Sequence, residues 1–167
     1  MTGSQHSADQ RDMGRALVLA RAAGRRGEVP VGAVVILNGA RIGAGSNRTV
    51  AACDPTAHAE VIALRRAARR IGNHRLGGST VYVTLEPCIM CVGAMVQARI
   101  GRLVFGARDP KVGAVTAWMG RRSGGLNHRF KAEGGVRAAE GAALLRQFFR
   151  ARRTRRVRRT GTLQATS

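Results

Sequence analysis

Apolar and polar positions along this chain follow two periods, and where the period changes an element ends. Met13, Ala16, Leu17, Ala20 and Ala23 recur at helical spacing behind Ser7-Ala8-Asp9-Gln10, which reads as a capping box, so a helix is predicted over residues 8–24. Residues 31–37 and 40–44 flank Asn38-Gly39, a strong hairpin signal, and predict two antiparallel strands with Asn47 just past the second. Asp54-Pro55-Thr56 reads as a helix start with Asp54 as N-cap, and Val61, Ile62, Leu64 and Ala68 carry that helix to Gly72. Residues 80–85 predict a buried strand, Pro87 suits the first position of a helix reaching about Ala98, and residues 103–106 predict another strand. From Ala138 onward, Leu144, Leu145, Phe148 and Phe149 give a C-terminal helix its docking face.

Strands that alternate with helices pair in parallel through right-handed crossovers, while the hairpin adds an antiparallel part. The predicted fold class is therefore α/β, a three-layer α/β/α sandwich on a mixed five-stranded sheet. In such sheets ligands gather beyond the carboxyl ends of the strands. Residues 107–129 form a long connection carrying Arg108, Asp109, Lys111, Arg121 and Arg122, and long connections are often binding surfaces.

Composition narrows the class. A chain of 167 residues with 44% hydrophobic content is one domain's length. We expect a domain over residues 1–153 and a basic tail over 154–167. The first residues are polar, and no apolar run approaches the roughly 20 residues of a membrane span, so a cytoplasmic protein with no membrane association is expected. An odd count of three cysteines fits a reducing compartment better than a disulfide framework. The net charge of +20 suggests a polyanionic partner, although the dominance of arginine over lysine also fits a coding bias. Seven arginines between Arg150 and Arg159 are spaced all around a helix, so that run is a solvated tail or a phosphate-binding arm.

The chemistry is concentrated in His58-Ala59-Glu60 and Pro87-Cys88-Ile89-Met90-Cys91. Alone, a Cys-x-x-Cys is equally a redox pair or half of a structural zinc knuckle, and a lone histidine is commonly a packed residue. Together the motifs supply three zinc ligands, His58, Cys88 and Cys91, and one spare acid, Glu60. Three protein ligands leave a position for water, as catalytic zinc sites require. Cys88 and Cys91, three apart, share a helix face. His58 and Glu60, two apart, reach one ion only from an opening turn. Cys53 is left over, either as a small loop residue or as a fourth ligand that would close the site.

This histidine-x-glutamate and proline-cysteine-x-x-cysteine pattern is that of the zinc deaminases. Further blocks, among them Glu28-Val29-Pro30-Val31-Gly32, Gly45-Ser46-Asn47-Arg48, Phe105-Gly106-Ala107-Arg108-Asp109 and Leu126-Asn127-His128, extend the likeness over residues 10–153. The chain resembles the tRNA-specific adenosine deaminases of the cytidine deaminase superfamily. The resemblance implies a cytidine deaminase-like fold, one zinc ion per subunit, a homodimer, and conversion of adenosine to inosine at the wobble position of an arginine tRNA anticodon. Glu60 would move the protons of the hydrolysis, Asn47 would hydrogen-bond base or ribose, and Asp109 would contact the substrate, although both also read as turn residues. The backbone amides near Ala59 and Cys88 sit where they would stabilise developing charge.

Departures from the family pattern fall at residues 130–137, with Gly134, Gly135 and a charge in the last strand, at residues 112–125, and at Gly141, where related sequences often carry cysteine. Two other readings stay open on the sequence. One is a deaminase of a free base, nucleoside or nucleotide such as cytidine or guanine. The other is an idle, zinc-stabilised RNA-binding module, against which the spare Glu60 argues.

Overall fold

The structure, a computed structural model, describes residues 3–115 and 127–163, with side chains through residue 154. The elements run α1 (Gly3–Arg25), β1 (Gly32–Leu37), β2 (Ala40–Ser46), α2 (Ala59–Ile71), β3 (Thr80–Leu85), α3 (Ile89–Gln97), β4 (Arg102–Ala107), β5 (Lys131–Gly134) and α4 (Ala138–Leu163). The sheet order is β2-β1-β3-β4-β5, with β1 antiparallel to β2 and β3, and β3, β4 and β5 mutually parallel. This is the predicted mixed five-stranded sheet. Arg121 and Arg122 lie outside the described residues. So do the side chains of the arginine run from Arg155; α4 itself passes residue 153 without a break.

The central strands carry near-continuous apolar runs because each is covered on both faces. Val35, Val81, Val83, Leu103 and Phe105 point to one core with Ala63, Leu64 and Ala67 of α2 and Val92, Met95 and Val96 of α3. Val34, Ile36, Tyr82 and Val104 point to the other, against Met13, Ala16 and Leu17 of α1. The period-2 alternation thus sorts side chains between two helical layers. Helix α2 lies unusually close to the hairpin. A Cβ at Gly45 would collide with the Ala59 carbonyl and one at Gly43 with the Ala63 carbonyl, so these two glycines bring the start of α2 onto the end of β2.

Three predicted boundaries are corrected. Helix α1 begins at Gly3, and Ser7 and Asp9 lie inside it. Asp9 is no part of a capping box; fully buried, it accepts hydrogen bonds from Tyr82 Oη at 2.7 Å and from both Arg102 guanidinium nitrogens at 2.8 and 2.7 Å. Asp54 does not cap α2. It closes an Asx turn by accepting from the Thr56 amide at 2.7 Å, and His58 occupies the cap position. Pro87 precedes the cap of α3, which is Cys88. Asp9 found partners that local sequence reading does not supply, whereas Asp54 found one two residues along.

The last strand forms despite its glycines, and partly because of them. A side chain at Gly134 would strike the Phe105 ring on the neighbouring strand, and Gly135 takes φ +98°, a conformation side chains resist. Of the two charged residues in this strand, Lys131 and Glu133, the latter pairs with Arg102 at 2.8 Å and extends the Asp9 network across β3, β4 and β5. Gly141 faces the Thr84 carbonyl, 2.6 Å from where its Cβ would stand, so α4 packs on the sheet at a point with no room for a larger residue.

Burial raises the Asp9 pKa, but hydrogen bonds from Arg102, Tyr82 and Gln5 outweigh it and hold the carboxyl below its ordinary 3.8. A depressed folded pKa gives stability that is present above the unfolded value and lost as pH falls through the folded one. Asp9→Ala is expected to cost about 3 kcal/mol, the lower part of the range for breaking a buried pair, because Arg102 keeps Glu133. Thermal melts from pH 7 down to pH 3 check both points: the wild type loses stability below about pH 4, and the variant starts lower and loses less.

Candidate active site

Two helix starts meet at the carboxyl end of the sheet. His58 caps α2 and Cys88 caps α3, each with extended backbone (φ −73°, ψ 151° and φ −73°, ψ 172°), which turns both side chains off the helix axes towards each other. Cys91, one turn into α3, is fully buried. The Sγ atoms of Cys88 and Cys91 are 3.7 Å apart, and His58 Nδ1 lies 3.7 Å from the first and 3.5 Å from the second. A tetrahedral zinc ion, with bonds of about 2.3 Å to sulfur and 2.0–2.1 Å to nitrogen, holds S···S near about 3.8 Å and S···N near about 3.6 Å. The three donors therefore already stand at zinc-binding separations, with Nδ1 as the ligand nitrogen.

Their electrostatics agree. The Cys88 thiol is drawn down from 9.0 to about 3 by hydrogen bonding with Cys91 and then with His58. The Cys91 thiol is pushed up by sharing that proton with Cys88 and by burial, and His58 is raised chiefly by its contact with Cys88. A thiolate and thiol packed this closely hold one proton between them, and a divalent cation takes its place while satisfying both sulfurs. Cys53 stands outside the group: exposed, in a left-handed turn at φ 47°, with Sγ 3.7 Å from the Val50 carbonyl. The open three-donor site is retained.

Glu60 is the second residue of α2 and is 4% exposed. Burial raises its pKa, against weaker opposing contributions from its own amide, His58 and Cys91. A carboxyl beside the donor group, shielded from water and biased towards holding a proton, is suited to accept and return one. The helix N-terminus still tolerates its charged form.

Asn47 and Ala59 turn out to be one unit. Asn47 is buried, and its Oδ1 accepts from the Ala59 amide at 2.9 Å, so the side chain caps α2 in place of the predicted Asp54. The Ala59 amide is thus engaged by Asn47 in this structure. Among the described residues the Asn47 side-chain NH2 has no hydrogen-bond partner. Asp109 Oδ1 accepts from the Lys111 and Val112 amides at 2.9 and 3.2 Å, closing a turn as its alternative reading expected. This turn borders a groove of about 710 Å³ lined by Leu85, Val29, Arg108, Phe149, Arg150 and Arg153, with none of the three metal donors on its wall.

Two acids with no role assigned from sequence hold the loops around the site. Glu28, 1% exposed, accepts from the Val50 and Ala51 amides at 3.2 and 2.8 Å and from Thr49 Oγ1 at 3.3 Å, tying down the connection between Asn47 and His58. Ala51 and Ala52 on that connection are exposed, not packed. Glu86, next to Pro87, accepts from the Asp109 amide at 3.2 Å, while the Pro87 carbonyl accepts from Ala114. The signal for both was an acid set directly against an apolar run, where a buried charge must find donors.

Residues 6–107 match the family model described as cytidine and deoxycytidylate deaminase zinc-binding region. The tRNA-specific adenosine deaminase of Agrobacterium fabrum is 48% identical over 139 residues, which cover 83% of this chain and 91% of that protein. A solved structure from a study of A-to-I editing by tRNA:A34 deaminases at the wobble position of transfer RNA superposes with a TM-score of 0.77 at 44% identity, covering 81% of this chain and 99% of its own. The guanine deaminase of Nitrosomonas europaea is more distant, with a TM-score of 0.69 at 27% identity over 83% of each chain. With the zinc-ligand geometry, these likenesses place the chain in the zinc-dependent cytidine deaminase family, in its tRNA-specific adenosine deaminase branch.

Proposed function

We propose that this protein converts adenosine to inosine at the wobble position of a tRNA anticodon, that of an arginine tRNA, as a homodimer in the cytoplasm. The observation that carries the reading is the buried carboxyl of Glu60 beside a three-donor zinc site built from two helix starts. His58, Cys88 and Cys91 would hold a zinc ion, which would supply Lewis acidity and make a water there more acidic.

Glu60 takes a proton from the attacking water and delivers it to N1 of the purine as the oxygen bonds to C6; it then takes the remaining proton of that oxygen and gives it to the C6 amino group, so that the C6–N bond breaks as the C6 carbonyl of inosine forms. One water is consumed and one ammonia leaves. Asn47 presents its NH2 to the nucleoside while its carbonyl oxygen keeps Ala59 and the start of α2 in place. Asp109, fixed by Glu86, lines the approach and contacts the substrate.

An anticodon loop suits such a site because its unstacked bases enter a pocket at little cost. The groove beside Asp109 supports the RNA part of the reading. Phe149 and Val112, 44% and 62% exposed, offer apolar surface among Arg108, Lys111, Arg150 and Arg153, the mixture that single-stranded RNA stacks on and pairs its phosphates with.

The choice of tRNA is tested with anticodon stem-loops. Inosine is expected in the arginine loop bearing adenosine at the wobble position, and none when that adenosine is moved one nucleotide along. Equal conversion at both positions would contradict wobble specificity, and preference for another tRNA's loop would contradict the arginine assignment.

A further inference from the structure

We propose that the outward face of α2 is a second RNA-backbone surface, set at the end of the helix away from the metal donors. Arg65, Arg66, Arg69 and Arg70 occupy two consecutive turns, all exposed, with Arg65 and Arg69, and Arg66 and Arg70, stacked four apart. Like charges at that spacing destabilise a helix. The negative helix end offsets this for Arg69 and Arg70 only, since the dipole acts within the last turn.

Among the described residues no acid forms an ion pair with these arginines. The chain has nine aspartates and glutamates, all among the described residues. Asp9, Asp12, Glu133 and Glu140 pair with arginines outside α2. Glu28, Asp54, Glu86 and Asp109 accept from backbone amides, and Glu60 is in the active site. Arg65 is felt at a distance by Asp54, without an ion pair. Among the described residues Arg66 reaches only the Ala44 carbonyl, at 2.9 Å. Four guanidinium groups with no ion-paired acid on one rigid face offer a site for an anion from outside.

Phosphodiester backbone is the anion that fits. Guanidinium forks match phosphate oxygens in pairs. The face has no exposed aromatic residue to stack bases, so it reads charge and not sequence. Ile71, 36% exposed, is its one large apolar residue with substantial exposure, too little to anchor in a lipid surface. At 1.5 Å per residue Arg69 lies about 15 Å along the helix from Ala59, so RNA on this face is not the nucleotide in the active site. The proposal rests on the reading that the protein acts on RNA.

The test replaces all four arginines by glutamine in the full chain and measures binding of a 20-nucleotide oligouridylate, which has no adenosine, against salt concentration. For single strands each lost phosphate contact reduces the log–log salt slope by about 0.7, so four reduce it by about 3. Between 50 and 200 mM salt the wild-type affinity is then expected to fall about 50-fold more than that of the variant. The corresponding lysine variant should keep the steep slope, and deamination of an anticodon stem-loop by the glutamine variant should stay within twofold of wild type. An unchanged slope would overturn the proposal. So would an equal loss of stem-loop activity, which would make the face part of the substrate site, or a loss of binding to phosphatidylserine vesicles with RNA binding intact. Because the binding measurement uses no substrate, a wild type that binds steeply yet deaminates no RNA counts against the catalytic reading and not against this surface.

Discussion

Glu60→Gln is expected to leave the protein folded and zinc-loaded while lowering the turnover number by at least about 10²–10⁴-fold, the contribution of general acid-base transfer. Glutamine has the same shape, and its carbonyl oxygen keeps the acceptor that Glu60 directs to its own amide. It neither takes up nor returns a proton, and the proposed mechanism asks Glu60 to do both. The donor set His58, Cys88 and Cys91 is untouched, so metal content by mass spectrometry should remain one zinc per chain. Loss of zinc in this variant would make Glu60 a ligand and close the site; undiminished turnover would remove it from the chemistry.

The second large effect is at the donors themselves. Cys91→Ser places a weakly acidic hydroxyl where the geometry offers a thiolate, at a fully buried position. Zinc is expected to be lost, deamination to fall to background, and the melting temperature to drop, because metal-binding energy is also folding energy when the site exists only in the native state. A chelator applied to the wild type should reproduce the loss, with activity returning on added zinc. Cys53→Ser supplies the contrast: exposed and outside the donor group, it should change neither metal content nor activity. If Cys91→Ser retained zinc and turnover, the ligand set would be wrong.

What was legible in the sequence was whatever depended on near neighbours. Asn38-Gly39 marks a hairpin by its own conformational preferences, and β1 and β2 meet there. The spacing of Cys88 and Cys91, and the need for His58 to sit in an opening turn, follow from helix geometry. What was not legible depended on residues far along the chain. Asp9 looked like part of a cap because its partner Arg102 is 93 positions away. Asp54 looked like the cap of α2 because Asn47 comes back from the end of β2 to do that work. Gly134 and Gly135 looked like a defect in the last strand until the Phe105 ring accounted for the first and a positive φ for the second. Glu28 and Glu86 were visible only as charges beside apolar runs. Their role needs the folded loops they hold.

The measurement that bears most directly on the central claim uses the purified zinc-loaded protein, an adenosine-bearing arginine anticodon stem-loop, free adenosine, free cytidine and free guanine, with products read by mass spectrometry. The structure and its family likeness predict inosine in the RNA and no conversion of the free compounds. Conversion of a free base or nucleoside with the stem-loop unchanged would contradict the tRNA assignment and move the protein to the small-molecule branch of its family.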